Sequence, residues 1–373
     1  MKIAILTQPL QNNYGGNLQN FALQKVLKDM GHQPVTVDRH HTQKLRAKLK
    51  LGYFKRLLLW FLGRGETPSF KFYFSKKHEA DIREEISRFI ETHINKTPRL
   101  YSDSEVHSAF SNNQFDAVLV GSDQCWRPSF SPNINNYFLD FLQGNRRIKK
   151  VAYAASFGTD EWEFSRRQTE LCKKLVHQFD FVSVREKEAV RLVKERFDKD
   201  AHFVLDPTML LTKHDYLYLI KHQDITSKKG VYTYILDEAD WKRKIVDRVC
   251  SGLVLENYSN QHDLKNPGHK KIPSIECWLR GFVVADFVIT DSFHGTVFSI
   301  IFNKPFISLA NPYRGASRFE SLLSELELTE RLMWEFDAQQ IDALVNKNIN
   351  YDTLNQKLEV LRTKNKGYLI KVL

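Results

Sequence analysis

The run Thr290-Asp291-Ser292-Phe293-His294-Gly295-Thr296 stands between a buried-strand run at 286–289 and a helix-like run at 297–302. Either Asp291 or Ser292 can cap the coming helix. The free N–H groups and dipole of a first helical turn favour an anion. His294 adds a donor at the same place. A plain cap with a structural histidine would use the same residues. Arg314 and Arg318 follow the next apolar run, and an arginine fork suits a carboxylate or a phosphate. They could equally be two surface arginines. Arg185 directly follows Val182-Ser183-Val184. A charge there needs a partner, either an anionic ligand across a cleft or one of Glu186, Glu188 and Asp206. Asp123, after Gly121-Ser122, is a candidate general base or a capping carboxylate. Asn13-Tyr14-Gly15-Gly16-Asn17 matches neither G-x-G-x-x-G nor a P-loop, but its glycines would let a ligand approach the backbone.

These clusters must be held by strand ends. Lys2 to Gln8 alternates as a strand. The Asn13 to Asn17 loop follows, then a helix whose Leu18, Ala22, Val26 and Met30 step by four and which Gly31 ends. Pro34 to Val37 is the next strand. The pattern continues with strands at 116–120, 150–154, 181–184 and 203–205. It restarts with strands at 231–236, 252–255, 286–289 and 305–309 and helices at 239–250 and 274–285. The reading is α/β: two Rossmann-like doubly wound domains facing across a cleft. Their expected extents are 1–212 and 213–345, with a C-terminal helix at 346–373 packing back on the first domain. Ligands of open parallel sheets bind beyond the carboxyl ends of strands, and every polar cluster above falls at such an end.

The chain has 373 residues and a net charge of +11. Such a charge suits nucleic acid, a membrane surface or a phosphorylated small molecule. No nucleic-acid motif accompanies it. From Arg39 to Lys77 there are eleven Lys and Arg and one acid, Glu66, around the run Leu57-Leu58-Leu59-Trp60-Phe61-Leu62. This segment, 39–77, reads as an insertion. It is either a basic solvated face over a core helix or a peripheral membrane contact. No apolar run reaches the roughly 18 residues of a transmembrane helix. The first residues read as a strand and not as a signal peptide, so a cytoplasmic protein is expected, with the inner membrane face as its second address. The four cysteines are far apart and show no ligand spacing, so no metal is expected.

Taken in order, Asn13-Tyr14-Gly15-Gly16-Asn17-Leu18-Gln19, Gly121-Ser122-Asp123-Gln124-Cys125-Trp126, Ser183-Val184-Arg185-Glu186, Asp206-Pro207-Thr208 and Asp291-Ser292-Phe293-His294-Gly295-Thr296 resemble the polysaccharide pyruvyl transferase family over about residues 1–320. The resemblance implies a GT-B-like fold. It also implies transfer of pyruvyl from phosphoenolpyruvate to a sugar hydroxyl pair of an exopolysaccharide or capsule precursor, forming a ketal. Phosphoenolpyruvate is then a co-substrate, and no other cofactor is implied. Asp123, Arg185 and His294 would be catalytic. Ser292, His294, Gly295, Thr296, Arg314 and Arg318 would bind the donor. Asn13, Tyr14, Gly15, Gly16, Asn17 and Trp126 would bind the acceptor, which could be linked to a lipid diphosphate. The family often carries a basic residue before its histidine; this chain has Phe293, so the missing cation is expected from Arg314 or Arg318. The competing reading is a GT-B nucleotide-sugar glycosyltransferase.

Overall fold

The computed structural model describes residues 1–41, 54–62, 80–112, 115–226, 230–261, 271–311 and 315–373. Arg314 and most of segment 39–77 lie outside the described residues.

The first sheet has strands β1 (Lys2–Leu6), β2 (Gln33–Thr36), β3 (Ala117–Val120), β4 (Lys149–Ala155), β5 (Phe181–Val184) and β6 (His202–Phe203) in the order β2-β1-β3-β4-β5-β6, all parallel. Its central strands are apolar on both faces because helices cover both. Ala117-Val118-Leu119-Val120, for example, is buried throughout. Helix α1 (Tyr14–Asp29) follows β1, and α2 (Lys187–Phe197) follows β5.

The second sheet has β7 (Val231–Tyr234), β8 (Asn257–Tyr258), β9 (Phe287–Thr290), β10 (Phe306–Leu309) and β11 (Leu332–Met333) in the order β11-β10-β9-β7-β8, again parallel. Helices α3 (Ile275–Val283), α4 (Phe293–Ile301) and α5 (Ser317–Glu325) belong to this half. One expected strand is corrected here. Residues 252–255 do not extend a strand: the helix before them runs through Leu253, Val254 caps it at φ 54°, and β8 comes two residues later. The two-residue strand β11, Leu332-Met333, is too short to show a period and went unread.

In each sheet the strand order reverses once, between β1 and β3 in the first and between β7 and β9 in the second. Crevices open at such switch points, beyond the carboxyl ends of the strands. The segments after β1, β3 and β9 carry Asn13, Asp123 and Ser292, and the expected loop at Asn13 to Asn17 is corrected: Asn13 is the cap, Tyr14 to Asn17 are the first turn of α1, and His294 is in the first turn of α4.

The halves are joined by a shared apolar core that runs from Ile3, Tyr14 and Leu18 to Trp278, Val297 and Phe298. Tyr14 stacks on Trp278 with ring centroids 5.4 Å apart, and its hydroxyl donates to Pro273 C=O at 2.8 Å. Helix α6 (Tyr351–Val372) lies against the first half. Asn365 Oδ1 accepts from Leu205 N–H at 2.8 Å, and Arg362 Nε donates to Met209 C=O at 2.8 Å. Each contact satisfies a buried backbone group, so displacing the helix would leave polar atoms unpaired.

Candidate active site

Ser292 is the residue that caps α4, its Oγ accepting from Gly295 N–H at 3.3 Å. Asp291 serves the scaffold instead. Its Oδ1 accepts from Leu236 N–H, and its Oδ2 accepts from Asp237 N–H and the Lys242 ammonium. Thr296 turns inward to Ser308 Oγ at 2.6 Å and is fully buried, so its hydroxyl serves packing within the second domain. Gly295 sits against Thr290: a Cβ there would lie 2.2 Å from Thr290 Oγ1. With the cap made, the N–H groups of Phe293 and His294 stand in the first turn of α4, where a helix offers them no partner of its own.

His294 crosses to the first domain. A Cβ on Gly15 would lie 2.0 Å from His294 Nδ1, so the imidazole packs directly on the backbone of the first turn of α1. Its Nε2 stands 3.7 Å from Asp206 Oδ2, too far for a hydrogen bond and close enough for strong charge coupling. That nitrogen is buried without a hydrogen-bond partner among the described residues.

Asp206 is the hub. It follows β6, and its Oδ1 accepts from Thr208 N–H at 3.0 Å and Thr208 Oγ1 at 2.7 Å. Its Oδ2 accepts from Arg185 Nη1 at 2.7 Å and Ser122 Oγ at 3.1 Å. Burial alone would raise this carboxyl, but His294 and Arg185 reverse that and hold it well below the carboxylate range. Arg185 spans from Asp206 to Asp123, donating through Nη2 to Asp123 Oδ1 at 3.2 Å. Burial opposes its charge, and Asp206 and Asp123 outweigh that and hold the guanidinium above its ordinary value. An arginine so paired cannot give up a proton. What it can supply at this place is fixed positive charge.

Asp123 follows β3 with φ 71°, and its Oδ2 accepts from Asn13 Nδ2 at 3.3 Å. Asn13 meanwhile caps α1 through Gly16 N–H. Asn17 donates to Gln11 C=O at 2.7 Å and holds the loop closed. Two acceptor-side assignments are corrected. Trp126 is fully buried, its Nε1 donating to Tyr137 C=O and its ring stacked on Phe138, so it offers no face to a sugar. Tyr14 is consumed by the interdomain stack on Trp278. Both follow from apolar area: a large ring beside a strand end is worth more in a core than exposed.

Phe293 fills the place where a cation was missed, and it gathers cations around itself. The guanidinium of Arg185 lies 4.7 Å from its ring centroid and that of Arg318 5.6 Å. Arg318 is buried in the first turn of α5, and its Nε donates to Gly315 C=O at 3.3 Å. Burial, helped by nearby Arg185, pushes its guanidinium down to about 10, against the pull of Glu186 and Asp123. Gly315, at φ 73°, brings that loop against the first domain, where a Cβ would meet Gly158 O at 2.3 Å. Glu186 lies beneath, with its Oε1 accepting from Phe157 N–H at 3.0 Å and burial raising its carboxyl.

Asp206 and Glu186 were quoted in sequence motifs but given no place in the site. The signal for Asp206 was its position before Pro207 at a strand end. That it faces His294 depends on how the two domains are set together. Among the described residues, no three His, Cys, Asp or Glu side chains are grouped to hold a metal ion.

A family model described as polysaccharide pyruvyl transferase matches residues 13–313. A comparison with curated protein sequences finds no match. Among solved structures, the chain is similar to a UDP-GlcNAc 2-epimerase from Methanocaldococcus jannaschii, with 10% identity, a TM-score of 0.52, and 94% of this chain and 93% of that chain covered. It is also similar to MnaA of S. aureus in a co-structure with UDP, with 11% identity, a TM-score of 0.49, and 96% and 90% covered. At such identities the likeness is one of fold: two Rossmann-like domains in a GT-B-like arrangement.

Proposed function

Because the chain belongs to the polysaccharide pyruvyl transferase family, we propose that it transfers the pyruvyl unit of phosphoenolpyruvate to two hydroxyls of a sugar in a polysaccharide precursor, forming a cyclic ketal. The observation that carries this reading is the Nε2 of His294, buried and without a hydrogen-bond partner among the described residues. It lies at the N-terminus of α4 and 3.7 Å from Asp206 Oδ2, where Arg185 of the first domain is also anchored.

Phosphoenolpyruvate is small and doubly anionic, and its recognition calls for helix N–H groups and cations close together. The N–H groups of Phe293 and His294, the His294 imidazole and Arg318 supply them in this reading. His294 in its charged form, balanced by the Asp206 carboxylate, gives a proton to the donor's methylene carbon. The central carbon then has oxocarbenium character. Asp123 accepts the proton of one sugar hydroxyl, whose oxygen bonds to that carbon. The bond from carbon to the phosphate oxygen breaks, and inorganic phosphate leaves to the α4 N-terminus. The second hydroxyl gives its proton to the departing phosphate, bonds to the same carbon and closes the ketal. Arg185 keeps both carboxylates in place and adds fixed positive charge beside the reaction. The acceptor lies on the side of the α1 N-terminus, through Asn13 and the Gly15-Gly16 backbone.

Incubation with phosphoenolpyruvate and a panel of free and lipid-diphosphate-linked glycosides tests this. The expected product is heavier than its acceptor by a pyruvyl unit less water, and phosphate appears in equal amount. His294→Ala should abolish both while leaving the circular dichroism spectrum unchanged. Turnover of UDP-sugars in place of phosphoenolpyruvate would overturn the reading, as would near-normal transfer by His294→Ala.

A further inference from the structure

Residues 54–61 form a helix whose apolar side is turned the wrong way for a folded core. Phe54, Leu58, Phe61 and Leu62 recur at helical spacing and form one stripe. They are 59%, 61%, 72% and 64% exposed. Arg56, on the opposite side, and Leu57, at the edge of the stripe, are the half-buried ones. Leu62 N–H still donates to Leu58 C=O at 3.1 Å, so the helical turn extends to the end of the stripe. Leu59 and Trp60 are also exposed, and the Trp60 ring rests edge-on against Phe61 at 4.8 Å. Six large apolar side chains within nine positions are thus exposed together as one apolar patch.

The charge around this helix identifies its occupant. Residues 39–77 contain eleven of the protein's 55 Lys and Arg and one of its 44 Asp and Glu, so the segment carries nearly the whole net charge of +11 and the rest is almost neutral. Arg39 is not part of that surface, being buried and bound to Asn136 and Asp103. The other ten basic residues flank or belong to the apolar helix in sequence. A second copy of this chain would bring like charge against like charge. A nucleic acid would leave the apolar stripe in water. An anionic bilayer answers both features, taking Leu, Phe and Trp side chains below the headgroups and Lys and Arg among them. Among the described residues, no helix is long and apolar enough to cross a membrane, so the contact is with one face.

We propose that the helix at 54–61 docks the protein on an anionic lipid surface, with the Phe54, Leu58, Phe61 and Leu62 stripe entering the bilayer. This stands independently of the transfer reaction. The test is flotation of the full chain with vesicles of phosphatidylcholine alone and of phosphatidylcholine enriched in phosphatidylglycerol. Binding is expected to the anionic vesicles only, and high salt should weaken it. Leu58→Ser with Phe61→Ser should weaken it by roughly tenfold or more, with an unchanged melting temperature because both side chains are exposed. Brominated lipid should quench the fluorescence of the parent more than that of Trp60→Phe. Four results would overturn the proposal: no binding to either vesicle, equal binding to both, a double variant that binds like the parent, or a parent dimer that the double variant dissociates.

Discussion

Replacing Asp206 by Asn removes one buried charge and no volume. The amide can keep Thr208, through the oxygen that accepts at 3.0 and 2.7 Å. Its NH₂ then faces two donors, Arg185 Nη1 and Ser122 Oγ, at positions now 2.7 and 3.1 Å from oxygen. Breaking a buried pair by removing one partner costs about 3–5 kcal/mol. Asp123 still neutralises Arg185 at 3.2 Å, so the lower end, about 3 kcal/mol at pH 7, is expected. The sign with pH is fixed by the carboxyl being held below its ordinary value in the fold. The stability it contributes is complete above the unfolded value near about 4 and drains as pH falls from there toward the folded value. Urea unfolding of parent and variant between neutral pH and pH 3 should therefore show the largest gap at neutral pH and a narrowing gap below about pH 4. The variant should also lose phosphate release from phosphoenolpyruvate, because His294 loses its balancing charge. A gap independent of pH, or transfer at the parent rate, would refute the coupling of Asp206 to Arg185 and His294.

Gly15→Ala puts a methyl 2.0 Å from His294 Nδ1, so the imidazole must move. Transfer should fall by roughly a hundredfold with little change in circular dichroism, as read by phosphate release; a normal rate would mean that the histidine's position is not required. Glu186→Gln should leave stability equal or higher at neutral pH. Burial raises this carboxyl, so the parent gives up stability as pH rises through its folded value, which the amide does not. The Phe157 N–H bond survives in the amide. Urea midpoints at pH 5 and pH 8 check it, and the variant's advantage should be larger at the higher pH.

Much of the architecture was legible along the chain. Runs such as 117–120 and 287–290 are buried at every position and almost wholly apolar because parallel strands are covered on both faces, so length and flanking polar residues sufficed to place them. The strand at 252–255 misled because Leu253 and Leu255 are apolar for a different reason: they pack beneath the second sheet from a helix end. Strand β11 was illegible because two residues carry no period.

The polar clusters at strand ends were determined by the sequence alone, because a Gly, Ser, Asp or Asn between two apolar elements has few local uses and each of them is a turn, a cap or a ligand contact. Which use each one serves was decided by tertiary structure. Asp291 was drawn to Lys242 and two backbone N–H groups, while Ser292 took the cap. Trp126 and Tyr14 went into the core because their rings found apolar surface there. Arg185, Asp206 and His294 lie far apart in the chain and meet only because β5, β6 and β9 point their carboxyl ends into one cleft. Charge coupling acts over a few ångströms of space in a medium of low dielectric constant, and distance along a chain carries no record of it.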